Sequence, residues 1–177
     1  EGTYNLPEAQ LDRFLMYIKI DQPDADTERK ILKLVRTEQR ETKEQDPAWQ
    51  EFSKTVGKIA VEDILTARRE VLSMHVSESL EEYLVQLIVA TRKPEKYDAS
   101  LRDKILFGAS PRATIALDKC AKINAWLDGR DFVTPEDIHA VIYDVLRHRI
   151  ILSFEAQADG LTTDDIIASL LKTVPLP

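Results

Sequence analysis

The sequence predicts a predominantly α-helical protein. Glycine is scarce, at five in 177 residues; apolar residues recur at three- and four-residue intervals through most of the chain; and proline, serine and threonine stand where such stretches begin. With 44% hydrophobic and 31% charged positions, the chain can build one domain with a real core, or a domain plus part of another.

The exception to helical spacing comes early. Leu15, Met16, Tyr17, Ile18, Lys19 and Ile20 form a short apolar run closed by Asp21 and Pro23, which predicts one buried strand. Before it, Pro7 and Glu8 suit a single helical turn that delivers Asp12 and Arg13 to the start of that strand. A lone strand cannot complete its own hydrogen-bond ladder. Together with a first residue that is Glu1 rather than Met, this reads as a segment of a longer protein.

Asp24 is placed to cap a helix running to about Glu41, with Ile31, Leu32 and Val35 on one side. The polar stretch after it ends at Pro47, which opens a short helix carrying Trp49 and Phe52, and Gly57 breaks the pattern. Ile64, Leu65, Arg68, Val71 and Leu72 mark the next helix. Ser77 caps a longer one with Leu80, Leu84, Leu87, Ile88 and Thr91, stopped by Pro94. Residues 93–107 read as a loop. Ala113, Leu117, Cys120, Ile123 and Leu127 make a stripe from Pro111 to Asp128, ended by Gly129. Thr134, Pro135, Glu136 and Asp137 then open a helix that buries Ile138, Val141, Ile142 and Val145 and closes on Arg147, His148 and Arg149. A final helix spans about Thr163 to Leu171. Trp49 and Trp126 read as core or domain-contact residues.

Composition removes several function classes. Cys120 has no partner for an internal disulfide, and His75, His139 and His148 lack metal-ligand spacing. A net charge of −7 argues against binding nucleic-acid backbones, which needs clustered Lys and Arg. No window approaches a membrane span and no leader pattern is present, so the expected location is cytoplasmic. The phosphate loop GxxxxGK[ST] is missing: the only Gly-Lys pair, Gly57-Lys58, has Phe52 and Ile59 at the flanking positions. No acidic pair ends an apolar strand, and no nucleophile stands with its base. The chain is expected to complete a site rather than to catalyse alone.

Two arginines stand out. In GASPRA, Gly108 permits an unusual backbone, Ser110 caps and Pro111 takes the first helical position, which places Arg112 in the first turn, where a cation opposes the helix dipole. Such an arginine suits phosphate, or it is satisfied by a carboxylate from a neighbouring helix or by solvent. Arg13 lies at an element junction and suits stabilising charge on a transferred phosphoryl group, or it pairs with the dipole of its turn and with Asp12 or Glu8. The Arg147-His148-Arg149 cluster suits an anion or a partner subunit, but it is explained most simply by the dipole at a helix C-terminus.

The segments GTYNLPEAQLDRF, GASPRA and GRDFVTPEDIHAVIYDVLRHRI resemble, in order, the stretch after the sensor 1 strand, the sensor 2 motif and the final lid helices of MoxR-type AAA+ ATPases. The likeness covers essentially the whole chain, with Asn5 where the family commonly has proline. It implies a helical AAA+ lid domain, a helix bundle over residues 23–177, preceded by a remnant of the α/β nucleotide-binding domain over residues 1–22. It implies that Arg13 is an arginine finger acting on ATP in an adjacent subunit and that Arg112 is the sensor 2 arginine reading nucleotide. By the same resemblance the full-length protein uses ATP and Mg2+, forms a ring, typically a hexamer, and acts as a chaperone-like remodelling machine, often on proteins with von Willebrand A domains. This segment is expected to hold no nucleotide by itself. Two other classes fit the residues without the resemblance. One is a helical adaptor with no nucleotide role. The other is a helix-turn-helix DNA binder, against which Glu136, Asp137 and Asp144 count.

Overall fold

The computed structural model describes residues 6–38, 57 and 59–177. Helices α1 (Glu8–Leu11), α2 (Ala25–Glu38), α3 (Val61–Leu72) and α4 (Glu78–Arg92) precede a short strand, β1 (Ile105–Phe107). Helices α5 (Pro111–Leu127) and α6 (Pro135–Leu146) lead to β2 (Ile151–Leu152), followed by α7 (Phe154–Ala158) and α8 (Thr163–Thr173). One compact unit holds the described residues up to Ile18 and those from Arg68 to Pro177; a second holds the described residues from Lys19 to Ala67.

The larger unit is a four-helix bundle. α4 packs on α5, α5 on α6, α6 on α8, and α8 back on α4. Each helix contributes the face its sequence spacing foretells: Leu80, Leu84, Leu87 and Ile88 from α4; Ile138, Val141, Ile142 and Val145 from α6; Ile166, Ile167 and Leu170 from α8. Each such side chain stabilises the fold by roughly 1.5–3 kcal/mol through burial. The buried face of α5 is Ala113, Ala116, Leu117, Cys120, Ala121 and Ala125. Small residues there let α5 approach α6 closely. The expected stripe drifts off this face at its end, because Ile123 and Leu127 are exposed. Trp126 packs at the edge of the core, and its Nε1–H donates to Glu70 at 2.8 Å.

The caps form as their chemistry dictates. Ser77 Oγ accepts from Leu80 N at 3.3 Å, and Gly129 takes the left-handed conformation that ends α5, with φ 76°. At α6, Thr134 and Asp137 form a reciprocal capping box. Asp137 does more than cap. It is 1% exposed and accepts from Arg130 Nη1 and Nη2, both at 2.6 Å, from Asn124 at 2.9 Å and from Thr134 N at 2.8 Å. Burial pushes its pKa up, but the hydrogen bonds from Arg130, Asn124 and Thr134 outweigh that and hold it well below the carboxylate range. Stability from this group is therefore complete above the ordinary Asp pKa of about 4 and is lost as pH falls toward the folded value. Asp137→Ala is expected to cost about 3 kcal/mol. In thermal melts from pH 7 to pH 2, Asp137→Asn should show a shallower acid decline in Tm than the parent.

Three expectations need correction. Residues 15–20 form no strand, and the run is largely exposed, with Ile20 at 87%. Part of its backbone is met without a ladder: Tyr17 N–H donates to Asp144 O at 2.8 Å, and the carbonyls of Leu15 and Tyr17 accept from Arg149 and Arg147 at 3.1 and 3.2 Å. The stretch 93–107 is not a plain loop. It contains 3₁₀ turns at Pro94–Lys96 and Ala99–Leu101, and β1 pairs antiparallel with β2 through Ile105↔Leu152 and Phe107↔Ile151. Gly108 has no positive φ. A Cβ there would lie 2.4 Å from the Thr91 carbonyl oxygen, so glycine serves close approach to the α4 backbone.

In the smaller unit, Asp24 caps α2, its Oδ1 accepting from Thr27 N at 2.8 Å. Ile31, Leu32, Leu34 and Val35 are exposed. The helix expected at Pro47, with Trp49 and Phe52, and the expected end near Glu41 lie outside the described residues. No described helix is long and apolar enough to cross a membrane.

Candidate functional site

The site is built from two short sequences nearly 100 residues apart. The first is the α1 turn. Gln10 N and Leu11 N donate to Pro7 O at 2.8 and 3.1 Å, Asp12 N donates to Glu8 O at 3.0 Å, and Arg13 N to Gln10 O at 3.1 Å. This presents Asp12 and Arg13 side by side at the turn's end, as the Pro-Glu opening foretells.

The second is the loop from Gly108 to Arg112, which is fastened to the end of α4. Thr91 Oγ1 donates to Ile88 O at 2.7 Å and accepts from Ala109 N at 2.9 Å, while Arg92 Nε donates to Ala109 O at 2.6 Å. Ser110 Oγ then accepts from Arg112 N at 3.2 Å and caps α5.

Asp12 joins the two. Its Oδ2 accepts from Ser110 Oγ at 2.8 Å and from Arg112 Nη1 at 3.2 Å, and its Oδ1 accepts from Arg149 Nε at 3.1 Å. Partial burial raises its pKa, but Ser110, Arg112 and Arg149 lower it further, so the carboxyl stays ionised. A carboxylate with three donors is a poor base. It is a structural anion.

The two expected arginines differ in their surroundings. Arg112 does meet a carboxylate, Asp12, yet its side chain remains 55% exposed. Arg13 is exposed, and its side chain pairs with neither Asp12 nor Glu8. Both line a cleft of about 220 Å³ together with Asp12, Lys119 and Arg149. Four cations and one anion line this cleft in a chain whose net charge is −7. Such a concentration of positive charge attracts a polyanion and can neutralise charge developing on it, while supplying no nucleophile.

The cluster at the end of α6 departs from its sequence reading. Arg147, His148 and Arg149 do not merely face the α6 dipole; all three reach the segment 12–17. Arg147 Nη1 donates to Tyr17 O at 3.2 Å and His148 Nε2 donates to Phe14 O at 3.1 Å. Arg149 is 7% exposed. Burial lowers its pKa and Asp12 raises it, and a guanidinium remains charged throughout. No local pattern could reveal this, because the acceptors are backbone carbonyls about 130 residues away.

Residues 99–170 match the family model described as AAA lid domain. The whole chain is 35% identical, over 178 aligned residues, to Chaperone MoxR1 of Mycobacterium tuberculosis, of which it covers 44%. It is 34% identical to Protein MoxR of Methylorubrum extorquens, again along its full length and over 52% of that protein. A crystal structure of a candidate ATPase from Cytophaga hutchinsonii superposes on the entire chain with a TM-score of 0.86 at 41% identity, the match taking 51% of that chain. The chain thus spans about half the length of these relatives.

Proposed function

The chain belongs to the MoxR-type AAA+ ATPase family, and on that premise we propose that it supplies Arg13 as an arginine finger and Arg112 as a sensor 2 arginine to one and the same nucleotide, bound by the neighbouring subunit of a ring. One observation carries this reading: Arg13 and Arg112 line a single cleft, with Asp12 between them. An arginine finger acts across a subunit boundary, so an arginine sharing its cleft serves the same phosphates. Within this reading ATP and Mg2+ are held by the part of the protein that carries the phosphate loop. The ring is a hexamer, and nucleotide turnover drives remodelling of partner proteins, those with von Willebrand A domains in particular.

The chemistry asked of the two arginines is electrostatic. Arg13, exposed and without an ion pair among the described residues, is free to reach the γ-phosphoryl oxygens as charge spreads over them. Arg112, half-exposed at the start of α5, reports the phosphates to the bundle through Ser110 and the Ala109 loop.

Mixing two inactive full-length variants tests the arrangement. Arg13→Ala subunits are combined with subunits whose phosphate-loop lysine is replaced, and ATP turnover is measured. Recovery is expected, because some interfaces then pair an intact phosphate loop with an intact Arg13. The same mixture made with Arg112→Ala should recover likewise. Failure of the Arg112→Ala mixture alone would place that arginine on its own subunit's nucleotide; failure of both would remove the proposal.

A further inference from the structure

An arginine without a side-chain partner is only as well placed as the backbone that carries it. Arg13 is such an arginine among the described residues, and its turn is held from the far end of the sequence. All five N–H groups of Arg149 are used, and four go to residues 12–15: Nε to Asp12 Oδ1 and Nη2 to Asp12 O, each at 3.1 Å, Nη2 to Phe14 O at 2.5 Å, and Nη1 to Leu15 O at 3.1 Å. The fifth goes to Val145 O in the last turn of α6. His148 adds a second donor to Phe14 O, and Arg147 binds Tyr17 O while paired with Asp144 and Asp164. Helix-end electrostatics does not account for this, since Arg149 lies beyond α6 and spends one bond of five on it.

We infer that Arg149, with His148, Arg147 and Asp12, is a clasp of positioning residues that fixes the turn bearing Arg13 to the end of α6, so that the arginine travels with the helical bundle. The inference rests on reading Arg13 as the arginine finger. The planar fork of Arg149 suits this role because it satisfies several carbonyls of one turn at once, which sets orientation as well as position. A lysine keeps the charge and can still meet Asp12, but it cannot span the three carbonyls of Asp12, Phe14 and Leu15.

The test compares full-length Arg149→Lys with the parent. Hydrogen exchange at the amides of residues 13–17 should accelerate. Because misplacement of a catalytic group costs up to about 10²-fold, kcat should fall by roughly ten- to a hundred-fold, with KM for ATP nearly constant. In the Arg13→Ala background the same change should cause no further loss of kcat, which a merely structural defect would not reproduce. Undiminished loss in that background, or faster exchange with kcat unchanged, would overturn the clasp. If Arg149→Lys does not assemble, His148→Ala read by the same cycle decides, since His148 holds the segment through Phe14 O. Should Arg13→Ala itself leave turnover intact, the finger assignment fails instead, and the exchange measurement still reports on the clasp by itself.

Discussion

On the proposed reading of Arg13 as an arginine finger, replacing it with alanine in the full-length protein is expected to lower ATP turnover by about 10³-fold, the lower end of what such arginines supply. The size of the effect follows from the side chain's situation. Among the described residues Arg13 has no ion pair to lose, so the substitution leaves no orphaned charge in the bundle and should hardly change Tm. A large kinetic loss with intact folding and assembly is therefore the signature. Arg13→Lys should recover little of it, because an ammonium cannot bridge two phosphoryl oxygens as a guanidinium does. Steady-state turnover with oligomer size measured in parallel checks both variants, and a loss under about ten-fold for Arg13→Ala would return the residue to a surface role.

Gly108→Ala should be strongly destabilising. The added Cβ would meet backbone rather than a yielding side chain: 2.4 Å from Thr91 O, 2.6 Å from Thr91 C and 2.8 Å from Arg92 N. Overpacking costs about 1–3 kcal/mol where side chains can give way, and backbone gives way less. A loss of about 3 kcal/mol or more is expected by denaturant melts. The loop's relief is to pull away from α4, which breaks the Ala109 bonds to Thr91 and Arg92 and carries Ser110 and Arg112 off Asp12. Weakened nucleotide affinity should accompany the lost stability. Gly129→Ala offers a contrast: it meets no atom, and only its φ of 76° is strained, so it should cost about 1 kcal/mol and leave affinity unchanged.

Features written in neighbouring residues are legible in the sequence. The caps at Ser77, Ser110 and Thr134, the stop at Gly129 and the buried faces of α4 and α6 need only a helix's own periodicity, and they form as expected. Asp12 and Arg13 do end a single turn. What escapes a sequence reading depends on distant partners. β1 is three residues long, too short to show alternation, and its partner lies more than 40 residues on. The run from Leu15 to Ile20 has a strand's composition, yet nothing beside it among the described residues offers a ladder. Gly108 reads in the sequence as a residue that permits an unusual backbone, whereas what it avoids is the carbonyl of Thr91, invisible until α4 and the loop meet. Arg149 has the look of an ordinary helix-end cation, and only the folded chain brings the carbonyls of residues 12–15 to its fork.

The shared oxygen of Asp12 sets a threshold for whatever enters the cleft. Arg112 already rests one N–H against a carboxylate, so part of what an arriving anion would offer its guanidinium is supplied in advance. A singly charged species offers the guanidinium roughly what Asp12 gives already, and it also gives up its own hydration to do so. A polyphosphate carries enough additional charge to engage Arg13 and Lys119 in the same event and so come out ahead. Charge number is thus the property by which the cleft would tell a polyphosphate from a monovalent anion.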